Sequence, residues 1–429
     1  MRRLGPGAFI RRAGLLTGGA ALGQAILLAI SPVLTRLYTP EAFGIAATYA
    51  SVLGLVAIIA TLRFELAIPL PSDDRTAANL VALSVGASLV LSVALALAWA
   101  VVLATRTGAQ DIVDQRTAVV WLLPLSTLAV STYQALNYWA IRRQAYASIA
   151  RTRVGQALAT VFVQLGFGLL SPGALGLILG HVAGQSAGIG TLFRTTLVDG
   201  RTLIAGLSWR GLLTAAGRYR RFALVNVPSG LANALAFALP VVLLTTYYGP
   251  QVAGWFALAE RAIATPLGLI TRSAGQVFYA DAARLARDDP AALRSSFIRL
   301  SVGLAAFAVL PIAIILLAGP WLVTTVFGSD WRPSGTMAQY LALLYFGQVI
   351  VNPVAPTLLV LERHGAVLVN DVVRSALVVA AFSIPFQAGA SANSSIATYS
   401  AVMLATYAAT WLMTLYFIGK RIDRRGLRA

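Results

Sequence analysis

The 429 residues are 58% apolar and 11% charged, with a mean hydropathy of +0.77. Soluble domains carry about a quarter charged residues, so this composition excludes a water-soluble globular chain and makes a bilayer the solvent. The formal charge of +18 needs no nucleic acid, because the basic residues are spread over seven separate segments where topology and anionic inner-leaflet lipid account for them.

A hydrocarbon core of about 30 Å takes roughly 20 apolar residues per helix. In chain order, charge-free runs cover 13–35, 42–62, 76–105 and 117–141, one span each. The run 154–193 breaks at Ser171-Pro172-Gly173 into two spans. The region 222–272 breaks at Tyr248-Gly249-Pro250 into the seventh and eighth spans. Runs 300–329 and 333–361 supply the ninth and tenth, and 375–419 divides around Gly389–Ser395 into the last pair.

The expected fold is therefore an all-α integral membrane protein of twelve transmembrane helices. With the N-terminus cytoplasmic, inner segments hold 27 of the 33 lysines and arginines, as the bias of short loops requires; the C-terminus is then cytoplasmic too. Arg11-Arg12 before an apolar run resembles a twin-arginine export signal, but further spans follow and no clear Ala-x-Ala site ends it, so it reads as an inside anchor. The absence of cysteine removes disulfides and thiol-bound metals. Arginine in place of lysine, with abundant alanine, suits a GC-rich bacterial genome and hence a bacterial inner (cytoplasmic) membrane.

Tyr-x-Pro-x-x-x-Gly occurs twice, at Tyr38–Gly44 and Tyr248–Gly254. Both copies fall on the outer turn after the first span of a set of six. Six is even, so the two sets enter the membrane in one direction, as parallel repeats related by a pseudo-two-fold along the membrane normal. The expected domains are a lobe over 1–200, a cytoplasmic linker over 201–221 and a lobe over 222–429.

The segments "LTRLYTPEAFG" at 34–44, "RFELAIPLP" at 63–71, "QALNYWAIRRQAY" at 134–146, "NVPSGLANALAFALPVVLL" at 226–244 and "GWFALAERAIATPLGLI" at 254–270 resemble the polysaccharide exporter or O-antigen flippase family. That family belongs to the multidrug/oligosaccharidyl-lipid/polysaccharide exporter superfamily. The resemblance implies a flippase that moves an undecaprenyl-pyrophosphate-linked oligosaccharide from the cytoplasmic to the periplasmic leaflet by alternating access, beside polysaccharide polymerase machinery. The close of the chain after the twelfth span is expected to set it apart from the lipid II flippases.

Charges at membrane depth are costly, about 2.5–3.5 kcal/mol each on insertion scales, and so mark candidate sites. Glu260 and Arg261 lie near the midplane of the eighth span. Arg261 and Arg272, eleven residues apart, share a face with Thr265 and Gly268. This stripe is expected to line a central cavity between the first two spans of each lobe, with arginine suited to pyrophosphate by its bidentate donors. The competing role for Arg261 is a salt bridge between helices. Asp371 and Arg374, at i and i+3, form a local pair, and Glu65 is expected to pair with a nearby arginine. Glu260 or Asp371 would carry any H+ or Na+ coupling.

Arg36 and Arg63, at opposite ends of the first two spans, either contact substrate or anchor to the interfaces. Asn137 and Asn233 offer hydrogen bonds to sugar hydroxyls, as do Gln134, Gln156, Gln164 and Asn226; interhelical bonding is the alternative. Trp255, with Tyr133, Tyr138, Trp139 and Tyr279, either stacks on sugar or anchors at the membrane surface.

Enzymatic chemistry is poorly supplied. His181 and His364 read as structural or interfacial, no carboxylate pair faces outward with an obvious partner, and no nucleotide-binding Gly-x-x-x-x-Gly-Lys-Ser/Thr occurs. No cofactor or metal is expected. A cation-coupled multidrug antiporter is the first alternative, and a polysaccharide polymerase or glycosyltransferase the second.

Overall fold

A computed structural model of the chain describes residues 6–106, 115–197 and 207–426. The arginines at 2, 3, 201 and 428, and the first part of the 201–221 linker, lie outside the described residues. Among those described, every regular element is helical. The chain forms two compact units, Met1–Ala234 and Leu235–Ala429.

The first unit holds α1 (Pro6–Ala29), α2 (Ser31–Leu37), α3 (Pro40–Ala60), α4 (Asp74–Arg106), α5 (Gln115–Arg142), α6 (Tyr146–Leu170), α7 (Ala174–Leu197) and α8 (Trp209–Arg221). A wide helical turn over Phe222–Asn226 leads into α9 (Val227–Tyr248), within which the unit boundary falls. The second unit continues with α10 (Pro250–Asp288), α11 (Pro290–Phe327), α12 (Arg332–Val351), the short α13 (Thr357–Val360), α14 (His364–Gln387) and α15 (Ala392–Gly426). Ten helical segments among the described residues are long and apolar enough to cross a membrane. The two long helices that are not so apolar are α10 and α12.

Both copies of the tyrosine motif are helix junctions. In the first, Thr39 caps α3 by accepting from the Ala42 N–H at 3.3 Å, and Pro40 occupies the first helical turn. In the second, Gly249 takes φ 88°, open to glycine but not readily to other residues, and Pro250 starts α10. Each tyrosine reaches a helical hairpin of its own unit. Tyr38 Oη donates to the Gln164 carbonyl at 2.6 Å between α6 and α7. Tyr248 Oη donates to the Ala390 carbonyl at 3.2 Å and lies 2.7 Å from Ser395 Oγ, at the turn between α14 and α15.

The α6–α7 hairpin is held by a feature that hydropathy does not show. Gly176, Gly180, Gly184 and Gly188 recur every fourth residue along one face of α7. A Cβ at these positions would run into Tyr38, Gln164, Thr160 and Gln156 respectively. Without side chains there, the backbones approach closely enough for polar groups to bridge them, as membrane helices do in the absence of a hydrophobic drive. Gln164 Nε2 donates to the Leu177 carbonyl at 3.1 Å, Gln156 Nε2 to Gln185 Oε1 at 3.3 Å, and Thr152 Oγ1 lies 2.8 Å from Thr191 Oγ1. These glutamines thus take the interhelical alternative.

Several predicted boundaries shift. The eighth span, ended near 272, continues helically to Asp288, and the ninth, begun at 300, starts at Pro290 with Asp289 accepting from the Ala291 and Ala292 N–H groups at 3.0 Å each. A charge-free criterion finds hydrocarbon, whereas a helix continues past it on charged residues. The tenth run, read as one span to 361, ends at Val351 because Pro353 and Pro356 interrupt the backbone ladder. His364 opens α14.

A bulky residue in the glycine face should overpack α6 against α7, a cost of about 1–3 kcal/mol. Gly184→Leu is expected to lower the melting temperature of the protein in detergent. Gly190→Leu, whose Cβ would meet nothing within 4 Å, should leave it nearly unchanged.

Candidate functional site

The two long helices that are not apolar enough to count as spans border a cavity. A cavity of about 540 Å³ lies between α10 and α12. Its polar wall is Arg272, Gln276 and Tyr279 from α10, with Tyr345 and Gln348 from α12 and Asn352, which caps that helix at its C-terminus. The first three sit at i, i+4 and i+7, and the second three at i, i+3 and i+7, so each set occupies one helical face. Gly268 and Gly275 also line it; a Cβ at Gly275 would stand 3.1 Å from Pro353 Cα, so a glycine there keeps the wall thin. Its residues include a guanidinium, three amides and two phenols, and no carboxylate. Such a surface donates hydrogen bonds to anionic and hydroxyl oxygens and offers rings to a sugar face.

Behind Tyr345 lies a second polar group. The Tyr345 side chain interacts with Glu260, a half-buried residue of α10. Tyr399 and Tyr407 of α15 stand within electrostatic reach of Glu260 and of Arg374 on α14. Arg374 pairs with Asp371 at 3.1 Å and lies 5.4 Å from the centroid of the Phe237 ring. The i, i+3 pair expected on this helix is therefore formed, and the two acids at membrane depth belong to one neighbourhood. Tyr345, Tyr399 and Tyr407 are 4%, 4% and 3% exposed, so their hydroxyls are kept from bulk water.

Of the residues singled out in the sequence, Arg272, Gly268 and Tyr279 border this cavity, whereas Arg261 and Thr265 stand outside its lining. Trp255 Nε1 donates to the Asp330 carbonyl at 2.9 Å, tying the start of α10 to the turn before α12. Arg36 is exposed and donates from Nη1 to the Pro32 carbonyl at 2.7 Å. Asn233 is exposed on α9, and Asn137 is half-buried on α5. Both belong to the first unit, with Arg36 and Arg63.

Gln276, Tyr345, Gln348 and Asn352 went unselected. Their signal was present: polar residues at three- and four-residue spacing on helices that otherwise read as membrane spans.

At the arginine-rich end of the first unit, Leu62 and Arg63 adopt left-handed φ of 49° and 58°, an uncommon conformation outside glycine. The reversal carries Arg63 to within 3.7 Å of Glu65 and lays its guanidinium against Gly230, where a side chain would collide with it. Glu65 thus finds the local arginine expected of it. Arg142 and Arg143 close the same end by pairing with Asp74 at 2.8 and 3.3 Å.

This fold is shared with solved transporters. A MOP superfamily transporter from Pyrococcus furiosus Vc1 (DSM3638) superposes with a TM-score of 0.59 over 96% of both chains at 12% identity. A MATE transporter in complex with MaD3S gives 0.62 over 96% of both at 12%, and the eukaryotic MATE transporter AtDTX14 gives 0.56 over 97% of this chain and 98% of that one at 13%. The chain is a multi-pass membrane protein with the fold of the MOP superfamily transporters. Within that class, residues 33–336 match the family of polysaccharide biosynthesis proteins, and the chain belongs to it. The succinoglycan biosynthesis transport protein ExoT of Rhizobium meliloti (strain 1021) is 23% identical over 315 residues, 73% of this chain; the match spans 61% of that relative's length.

Burial holds the Glu65 carboxyl above its ordinary value of 4.5, opposed by hydrogen bonds from Thr61 and the backbone and by Arg63. An acid whose folded value is raised binds more protons folded than unfolded in the interval above 4.5. Its contribution to stability is therefore complete below that value and is lost as pH rises through the folded one. Melting in detergent should fall across that interval for the wild type more steeply than for Glu65→Gln.

Proposed function

We propose that the protein is a flippase carrying an undecaprenyl-pyrophosphate-linked oligosaccharide from the cytoplasmic to the periplasmic leaflet of a bacterial inner membrane, for surface polysaccharide assembly. Its twelve helices span that membrane in two parallel six-helix repeats, lobes 1–200 and 222–429, with both termini cytoplasmic. It works without catalysis, by exposing a polar cavity alternately to the two sides. The observation that carries this reading is the α10–α12 cavity, whose wall combines Arg272 with three amides and two tyrosines and contains no carboxylate. Membership of a polysaccharide biosynthesis family supports it.

A pyrophosphate and its glycan cannot enter hydrocarbon without losing their hydrogen bonds, which costs several kcal/mol per polar group. Arg272 supplies paired donors to phosphate oxygens. Gln276, Gln348 and Asn352 bond sugar hydroxyls, and Tyr279 offers a ring face. Export of cationic drugs, the alternative, is disfavoured by a wall that presents a guanidinium and no acid.

The test is the leaflet location of lipid-linked oligosaccharide in cells lacking the protein, read with a membrane-impermeant glycosidase. Cytoplasmic-leaflet accumulation reversed by the wild type supports the reading; normal outward delivery in the deletion, with no second exporter present, removes it. Arg272→Ala should lower transport about ten- to a hundredfold, the weight of a charge-assisted hydrogen bond, with Arg272→Lys retaining more.

A further inference from the structure

The helix α8 (Trp209–Arg221) has three faces of different chemistry. Gly211, Ala215, Tyr219 and Phe222 recur at i, i+4, i+8 and i+11, so they share one face. Ala215 and Tyr219 are buried there in one cluster with Phe64, Ala78, Leu80 and Trp139. The start of the helix is pinned as well: Ser208 Oγ caps it by accepting from the Gly211 N–H at 3.0 Å, and the Ser208 N–H donates to Asn79 Oδ1 at 3.3 Å. At its other end, the wide turn Phe222–Asn226 touches the short helical turn Phe64–Ala67. Both ends of α8 therefore rest on the arginine-rich end of the first unit.

A second face carries Trp209, Leu212, Leu213 and Ala216, at i, i+3, i+4 and i+7. Trp209 is 75% exposed and Leu213 59%, so the described residues leave this face uncovered. Leu224 and Val225 beyond it are exposed too, and the helical stretch they belong to runs on to Tyr248 as a membrane span. The open apolar surface is thus continuous in the chain with a helix that meets hydrocarbon.

The third face holds Arg210, Thr214, Arg218 and Arg221 at i, i+4, i+8 and i+11, all exposed. Arg220 falls on the apolar face in the last turn, where its stem can lie along that surface while the head reaches out. No aspartate or glutamate occurs between Asp199 and Glu260, so α8 has no carboxylate of its own to offset this charge. Hydrocarbon alone would not accept the arginines, and water alone gives the open indole no cover. A boundary between acyl chains and anionic headgroups suits both faces at once.

We infer that α8 is an interfacial helix that binds anionic phospholipid: Trp209 and Leu213 lie among acyl chains, while Arg210, Arg218 and Arg221 hold headgroup phosphates. A guanidinium donates to phosphate oxygens in pairs, and a headgroup with net negative charge adds an attraction that a zwitterionic one lacks. An acidic protein surface would satisfy the arginines but leave the apolar face beside them open. The inference depends on the chain being a multi-pass membrane protein and not on what it carries.

The chain has no cysteine, so one introduced thiol reports one position. Full-length protein with Leu213→Cys or Thr214→Cys, labelled with a fluorophore, is placed in phosphatidylcholine nanodiscs doped with phospholipid brominated in its acyl chains, which quenches by contact. The label at position 213 should be quenched at least about threefold more than the label at 214. Brominated phosphatidylglycerol should quench it about fivefold more than the same fraction of brominated phosphatidylcholine, and about 1 M sodium chloride should remove most of that preference. Arg210→Gln, Arg218→Gln and Arg221→Gln together should abolish the preference while phosphatidylcholine still quenches at 213, which marks the helix as folded and in place. The three lysine replacements should keep most of it. Equal quenching by the two lipids without the arginine changes overturns the anionic site, as does a preference that survives the triple glutamine variant. Absence of quenching at 213 overturns the interfacial placement and assigns this face to a protein partner.

Discussion

A polar group at membrane depth must be paired or must face water, and most of this structure follows from that constraint. Helices in lipid satisfy their backbones internally, which leaves the side chains to be placed. Gln164 and Gln156 spend their amides on α7. Asp371 and Arg374 neutralise each other at 3.1 Å. A further set of polar groups lies on α10 and at α12, the two long helices too polar to count as apolar spans, and these are the helices that border the cavity.

The two units solve the same closing problem with different chemistry. Each uses the tyrosine of its junction motif to hold a hairpin: Tyr38 on α6–α7, Tyr248 on α14–α15. In the first unit the hairpin closes through glycines that bring backbones together. In the second the tyrosines stack: Tyr247 lies on Phe386 at 4.3 Å, Tyr248 meets the same ring edge-on at 5.5 Å, and Phe382 lies 5.2 Å from Tyr399. The repeated motif was visible in the chain because its proline and tyrosine have fixed jobs. The surrounding contacts differ between the two units.

The membrane fold was legible because hydrocarbon thickness sets helix length and because Pro and Gly mark the turns at Ser171–Gly173 and Gly389–Ser395. The cavity was half legible. Arg272 and Tyr279 stood out as a charge and an aromatic in an apolar setting, but their partners on α12 did not. Gln348 and Asn352 are neutral, and no sequence rule says which two distant helices will face each other. The Glu260–Tyr345 contact was hidden for the same reason: the acid is conspicuous, while its partner is one of 14 tyrosines that becomes distinctive only when α10 and α12 are adjacent. The ends of α10 and α11 were misplaced because charged residues extend a helix beyond the bilayer as readily as they end a span.

Pro266 ties these observations together. It sits within α10, between Glu260 and Arg272. Lacking an N–H, it leaves the carbonyl four residues earlier, that of Ala262, without its helical donor, and such a turn bends more readily than its neighbours. The cavity lining begins at Ala264, so the weak turn divides the part of α10 that holds Glu260 from the part that faces the cavity. A change of bend there alters the distance from Glu260 to Arg272 without breaking either helical half. Pro124, Pro240, Pro311, Pro320 and Pro385 lie inside other helices of the chain, so a proline within a span is a recurrent feature here, as membrane helices allow.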